Sequence, residues 1–146
     1  MKTRKEMAME KFLGGYNCAQ SVFYGFYKDF SIDGNTALKI ACGFGAGMGR
    51  KQEVCGAVTG GIMVIGLKHG RGENDDREVT LSAYAKVREL MDRFSGKHGA
   101  FICRQLLPGC DMSTEEGQKY FKDHDLHNKT CRFYVESVIE ILEDIL

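Results

Sequence analysis

The chain has 146 residues, the usual size of one domain and long enough to bury a core without disulfides to hold it. Its 20 basic and 20 acidic residues cancel, which removes the electrostatic footprint of a protein that grips a nucleic-acid backbone, so nucleic acid is not expected as a partner. The most apolar run, Val54 to Leu67, has 14 residues, short of the roughly 20 that a membrane span needs, and the chain is expected not to span a membrane.

The opening MKTRKEMAMEKFL mixes charges with apolar residues and lacks the continuous apolar stretch of a signal peptide, which predicts a cytoplasmic protein. A first helix is expected over Arg4 to Leu13, ended by Gly14 and Gly15. Asn17 is placed as the N-cap of a second helix through about Lys28, and Asp33 as the start of a third to about Gly43. The glycine-alternating CGFGAGMG that follows costs too much backbone entropy to stay helical, and reads as a loop or a tightly packed joint.

A fourth helix should start near Gln52 to Cys55 and run through AVTGGIMVIGLKH to Gly70. Asp75 with Glu78 has the spacing of a capping box for a fifth helix to about Phe94, whose stripe would be Tyr84, Val87, Met91 and Phe94. A short helix around Phe101 to Leu107 would be closed by Pro108-Gly109. Ser113 and Glu116 would open another to about Lys122, and a last one would run from about Asn128. With no β-hairpin signals, no repeat and no linker, the expected fold is all-α, a compact bundle of about six to eight helices in one domain over residues 1–146.

Six cysteines, Cys18, Cys42, Cys55, Cys103, Cys110 and Cys131, in a chain with no secretion signal point to redox chemistry or metal rather than a disulfide framework. Helical periodicity gives each a direction. Cys131 heads a stripe with Val135, Val138, Leu142 and Ile145. Cys103 precedes Leu106 and Leu107, Cys18 precedes Val22 and Phe26, and Cys55 precedes Val58, Ile62 and Ile65. Four helices therefore each offer one inward thiol, as facing helices do when they build a site in a bundle core. Inert core cysteines would show the same pattern.

Cys55 has the strongest case for special reactivity, because a helix N-terminus favours a thiolate. Arg50 and Lys51 upstream would help and Glu53 would oppose. Gly56, Gly60 and Gly61 clear one side of its helix for another backbone or a cofactor. No CxxC occurs, which removes the thioredoxin-type dithiol, zinc-ribbon pairs and, with CxxCH, covalent haem. His124, His127 and Cys131 would share a face on a continuous helix and could offer nitrogen and sulfur ligands, although KDHDLHNK reads more simply as a solvated helix start. His69 and His98 sit at helix ends, where the dipole favours their protonated form. GFGAGMGRK lacks the ending and the preceding strand of a phosphate loop. The aromatics Phe23, Tyr24, Phe26, Tyr27 and Phe30 suit core packing, or else a pocket or a homo-oligomer contact.

The blocks YNCAQSV, CGAVTGG, CRQLLPGCDMSTEEG and KTCRFYVESVIEIL resemble those of the C_GCAxxG_C_C family of proteins, labelled redox-active, over nearly the whole chain. The resemblance implies that Cys18, Cys55, Cys103 and Cys131 are the defining cysteines and that Cys42 and Cys110 are extras. A related helical domain accompanies haem in split-Soret cytochromes, but this chain has no CxxCH. Two readings stand. In one, the four thiols form a redox centre working with a redox partner, with Cys55 as a reactive thiol or all four as ligands of an iron–sulfur cluster. In the other, the chain is a non-catalytic zinc-binding or protein-interaction module with structural cysteines.

Overall fold

The computed structural model describes residues 1–146 and contains eight α-helices with no strand. Helix α1 spans Arg4–Leu13, opened by a capping box in which Thr3 and Glu6 satisfy each other's backbone N–H groups. Helix α2, Cys18–Phe26, is capped by Asn17 as expected, with Gln20 completing the box. It ends sooner than Lys28, in the 3-10 turn Tyr27–Asp29. Helix α3, Gly34–Ala41, starts on the Asp33 cap and passes into a second 3-10 turn, Cys42–Phe44.

Helix α4, Gly56–His69, has Cys55 at its N-cap. It is the middle of the bundle and lies against α2, the long helix that follows it and the C-terminal helix. Its glycines are explained by that position. A Cβ on Gly60 would stand 2.8 Å from the Ala19 carbonyl oxygen, and one on Gly61 would stand 2.8 Å from Val138 and 2.9 Å from Leu90. Helix packing, rather than a cofactor against the helix, occupies the space that Gly60 and Gly61 leave.

Helix α5 runs Glu78–His98, a turn beyond the expected end at Phe94, and closes on left-handed Gly99. The Asp75–Glu78 capping box does not form. Arg77 is the N-cap without a side-chain bond, and the Asp75 carboxylate instead accepts from the Gly72 N–H at 2.7 Å. The inward stripe is also corrected: Leu90 and Phe94 are fully buried, Val87 and Met91 partly so, and Tyr84 is exposed.

Helix α6 is a single turn, Cys103–Leu106, and α7 spans Glu115–Asp123. Thr114, not Ser113, caps α7 by accepting from the Gly117 N–H, while the Ser113 hydroxyl turns back to Asp111. The last helix, α8, covers Arg132–Ile145 and is preceded by a π-helical turn, His127–Cys131. Its inward stripe is as expected, with Val135, Val138, Leu142 and Ile145 buried. Of the aromatic run, Phe23 and Phe26 join the core, and Tyr27 and Phe30 pack against it. No helix is long and apolar enough to cross a membrane.

Candidate functional site

The thiol-bearing end of the bundle departs from regular helix in three places, and each departure delivers a cysteine or a wall. The first is a strap. Ala46, Gly47, Met48, Gly49 and Arg50 all have positive φ, from 52 to 71 degrees, followed by Gln52 at 56 degrees. L-residues avoid this region at a cost of roughly 1–2 kcal/mol each, so Ala46, Met48 and Arg50 are held there by their surroundings. Backbone bonds close the strap on itself, from Gly49 N–H to Gly43 O (3.0 Å) and from Glu53 N–H to Gly47 O (2.9 Å). A Cβ on Gly47 would meet the Gln52 backbone at 2.6 Å. Nothing in CGFGAGMG beyond its glycines indicates a left-handed run.

The second departure is a short antiparallel contact between the segments preceding α4 and α6. Cys55 N–H donates to Phe101 O (2.8 Å), Cys103 N–H to Glu53 O (2.6 Å) and Arg104 N–H to Gln52 O (3.1 Å), around an isolated bridge from Val54 to Ile102. Two cysteines 48 residues apart in sequence are thereby pinned side by side at the starts of two helices. Gln52 locks the arrangement. It is buried, its Nε2 donates to Cys110 O and its Oε1 accepts from Met112 N–H, both at 2.9 Å.

The third is the π turn, in which Arg132 N–H bonds to His127 O five residues back. The wider turn leads directly into Cys131. π turns inside α-helices occur frequently at functional sites.

These pieces enclose a cavity of about 430 Å³ lined by Cys18, Cys55, Cys103 and Cys131 together, with Cys42 also on its wall. The four inward thiols therefore converge on one space. Cys55, Cys103 and Cys131 are buried and Cys18 is half-buried. All six cysteines are free thiols. Cys110 stays outside the cavity, buried with its thiol donating to Gly117 O at 3.3 Å beside the Met112 sulfur. No three His, Cys, Asp or Glu side chains are gathered closely enough to hold a single metal ion.

Three of the cavity thiols, Cys18, Cys55 and Cys103, are raised above the ordinary thiol range. The adjoining Cys131 thiol, then burial, pushes Cys18 well above the ordinary thiol range, with Cys55 and Cys103 adding to it. Burial pushes Cys55 up to about 12, although the N–H groups of Ala57 and Val58 at the helix start pull the other way. Burial likewise pushes Cys103 up to about 11, against a hydrogen bond from Gln52. At Cys55 two effects that the sequence left open act against each other. The helix N-terminus acts in the expected direction, and burial outweighs it.

Tyr134 is a wall residue that the sequence reading passed over. Its hydroxyl donates to Leu106 O at 3.1 Å, and burial followed by the four cysteines raises it to about 12. Lying three residues after Cys131, it shares that cysteine's helix face, so periodicity could have found it. Gln52 had no such signal.

The histidines separate. His127 lines the cavity, with its ring stacked on Phe12 at 3.7 Å and its Nε2 bonded to Phe12 O at 2.8 Å. His124 is exposed, stacks on Tyr120 and bonds to its carbonyl. The two do not join Cys131 as a ligand set, because the break between α7 and the π turn interrupts the continuous helix that spacing assumed. His69 and His98 end α4 and α5 as expected, but burial lowers both below the ordinary histidine value, and neighbouring lysines add to this, opposing the dipole.

A family model described as "Putative redox-active protein (C_GCAxxG_C_C)" matches residues 16–145, a span that contains all four cavity cysteines. An uncharacterized protein of Archaeoglobus fulgidus is 27% identical over 110 residues, covering 70% of this chain and 73% of its own. No solved structure matches the chain.

Proposed function

This chain belongs to the C_GCAxxG_C_C family, and from that premise we propose that the cavity is a redox centre in which Cys18, Cys55, Cys103 and Cys131 hold an iron–sulfur cluster. The observation that carries the reading is the convergence of four thiols, from four separate parts of the chain, on one cavity. Two features of the donors support a cluster over other uses.

Thiols raised to about 11 and about 12 are protonated at neutral pH and make weak nucleophiles. A bound cation reverses that balance, because thiolates form against it and shed their protons. The second feature is spacing. A tetrahedral zinc ion draws four sulfurs to about 2.3 Å from one point, whereas these side chains line a cavity without meeting at a single-ion site. A polynuclear group with cysteine ligands suits that separation better. When bound, a cluster supplies an electron-transfer couple. The protein's own part is to bury the ligands, exclude bulk water with Leu106, Leu107 and Phe121, and keep Tyr134 hydrogen-bonded beside them.

Anaerobic purification tests the reading. Bound iron and sulfide with visible absorption, lost on replacing Cys131 by Ala, are the expected results. Colourless protein that takes up no iron after reconstitution overturns it, and stoichiometric zinc without colour assigns the site to a structural metal instead.

A second reading has one specific observation in its favour: Cys18 and Cys131 are free thiols on the wall of one cavity. These two thiols could close a disulfide by giving two electrons and two protons to a disulfide-bearing partner, which leaves as a dithiol. Acid quenching after mild oxidation, followed by peptide mapping for a Cys18–Cys131 crosslink, distinguishes the two.

A further inference from the structure

The cavity holds more space than four sulfurs occupy, and one charged side chain stands on its wall. No Asp, Glu or Lys lines it, and Arg50 does. Arg50, like Arg77 and Arg88, forms no ion pair and no side-chain hydrogen bond within the chain, and of the arginines it alone lines the cavity. Arg50 is exposed, and it reaches the cavity from a backbone at φ 68 degrees. Strained backbone of this kind persists where surrounding structure enforces it, and it clusters at ligand clamps. Here the enforcing contacts are the self-bonded strap and the Gln52 lock.

An uncompensated guanidinium at the edge of a largely apolar chamber attracts an anion from solution, and its planar fork matches a carboxylate or another oxyanion.

We propose that the cavity mouth binds a small oxyanion, organic carboxylates included, with Arg50 as its anchor, and so sets an anionic substrate beside the four thiols. The substrate role rests on the redox reading above; the binding site itself does not.

Cys42 provides the test. It is exposed, lines the same cavity and is not one of the four converging thiols, so its reactivity can be read whatever the centre contains. The full-length protein, purified anaerobically, is treated with iodoacetamide at constant ionic strength in rising acetate or inorganic phosphate. Acetamide serves as the neutral control, and modification of Cys42 is followed by peptide mapping. The expected result is saturable protection by both anions and none by acetamide. The half-protecting concentration should rise roughly fivefold in Arg50→Gln, in line with loss of a charge-assisted contact at an exposed site, and stay closer to wild type in Arg50→Lys. Protection that does not saturate, or is unchanged in Arg50→Gln, overturns the proposal. Iron content measured on the same samples keeps the two readings apart. Protection in iron-free protein sinks the cluster reading alone, and iron-loaded protein without protection sinks the Arg50 site alone.

Discussion

The two ends of the bundle are built by opposite rules. Around the middles of α4, α5 and α8, regular helices interlock through Val64, Ile65, Leu90, Ile139 and Leu142, all fully buried. Pairs such as Lys5–Glu140 and Arg93–Asp144 cover the outside. At the thiol end the backbone is left-handed, π-helical or briefly bridged, and a cavity replaces dense packing. The contrast divides the fold's work: the packed end supplies apolar burial, and at the thiol end the strap's own backbone bonds and the Gln52 lock hold strained geometry. Substitutions that act on one end and spare the other should separate the two roles.

The largest expected effect is on the centre. Cys131→Ala removes one of the four thiols on the cavity wall and should abolish bound iron while leaving the helical circular dichroism of the packed end in place. Cys110→Ala, at a buried thiol outside the cavity, should retain iron. Equal iron in the two variants would erase the distinction between the cavity and its surroundings.

Next in size is a pH effect confined to the thiol end. Cys55 and Cys103 are raised above the ordinary thiol value of 9.0, to about 12 and about 11. The folded metal-free protein therefore holds these protons over a range in which the unfolded chain has lost them. Stability is fully present below pH 9 and declines as pH rises from about 9 towards 12, at about 1.4 kcal/mol per pH unit for each thiol in its own window. Urea titrations of iron-free protein at pH 8 and pH 10.5 measure the loss, and Cys55→Ala should reduce it while leaving the Cys103 share. A metal-loaded sample should lack this slope, because its thiols have already given up their protons.

How far the site could be read from the sequence follows the same divide. The period of 3.6 turned Cys18, Cys55, Cys103 and Cys131 inward, and the capping side chains Asn17 and Asp33 marked helix starts, because both are local properties of regular helix. The convergence of the thiols was not local. It depends on the pairing of 52–55 with 101–104, on Gln52 reaching Cys110 and Met112, and on the π turn before Cys131. None of these has a spacing rule. The balance at Cys55 was not legible for the same reason: a helix start is visible in sequence, but depth of burial is a property of the assembled bundle.

Glycine substitutions should give intermediate and small effects of opposite sign within one helix. Gly60 in α4 faces the Ala19 backbone, so Gly60→Ala forces α2 and α4 apart and should destabilise by about 1–3 kcal/mol. Because α2 begins at Cys18 and α4 follows Cys55, the same change should also lower iron retention. Gly66 lies in the same helix with nothing within 4 Å of its prospective Cβ. Gly66→Ala should stabilise by about 0.5–1 kcal/mol through backbone entropy alone, without altering iron content. Denaturant midpoints for the pair supply the check.

The effect that can fall closest to zero is in the strap. Ala46 sits at φ 52 degrees and ψ 44 degrees, so Ala46→Gly removes a strain of about 1–2 kcal/mol from the folded state. It also loosens the unfolded chain by about 0.4–1 kcal/mol, which offsets part of the gain. The net should be a stabilisation of about 0–1.6 kcal/mol. If the strained strap fixes the cavity mouth, the variant should gain stability while modification of Cys42 becomes less sensitive to acetate and phosphate. A variant that gains stability with anion protection intact would mean that the strain at Ala46 only accommodates the chain's path and that Arg50 is positioned by the Gln52 lock.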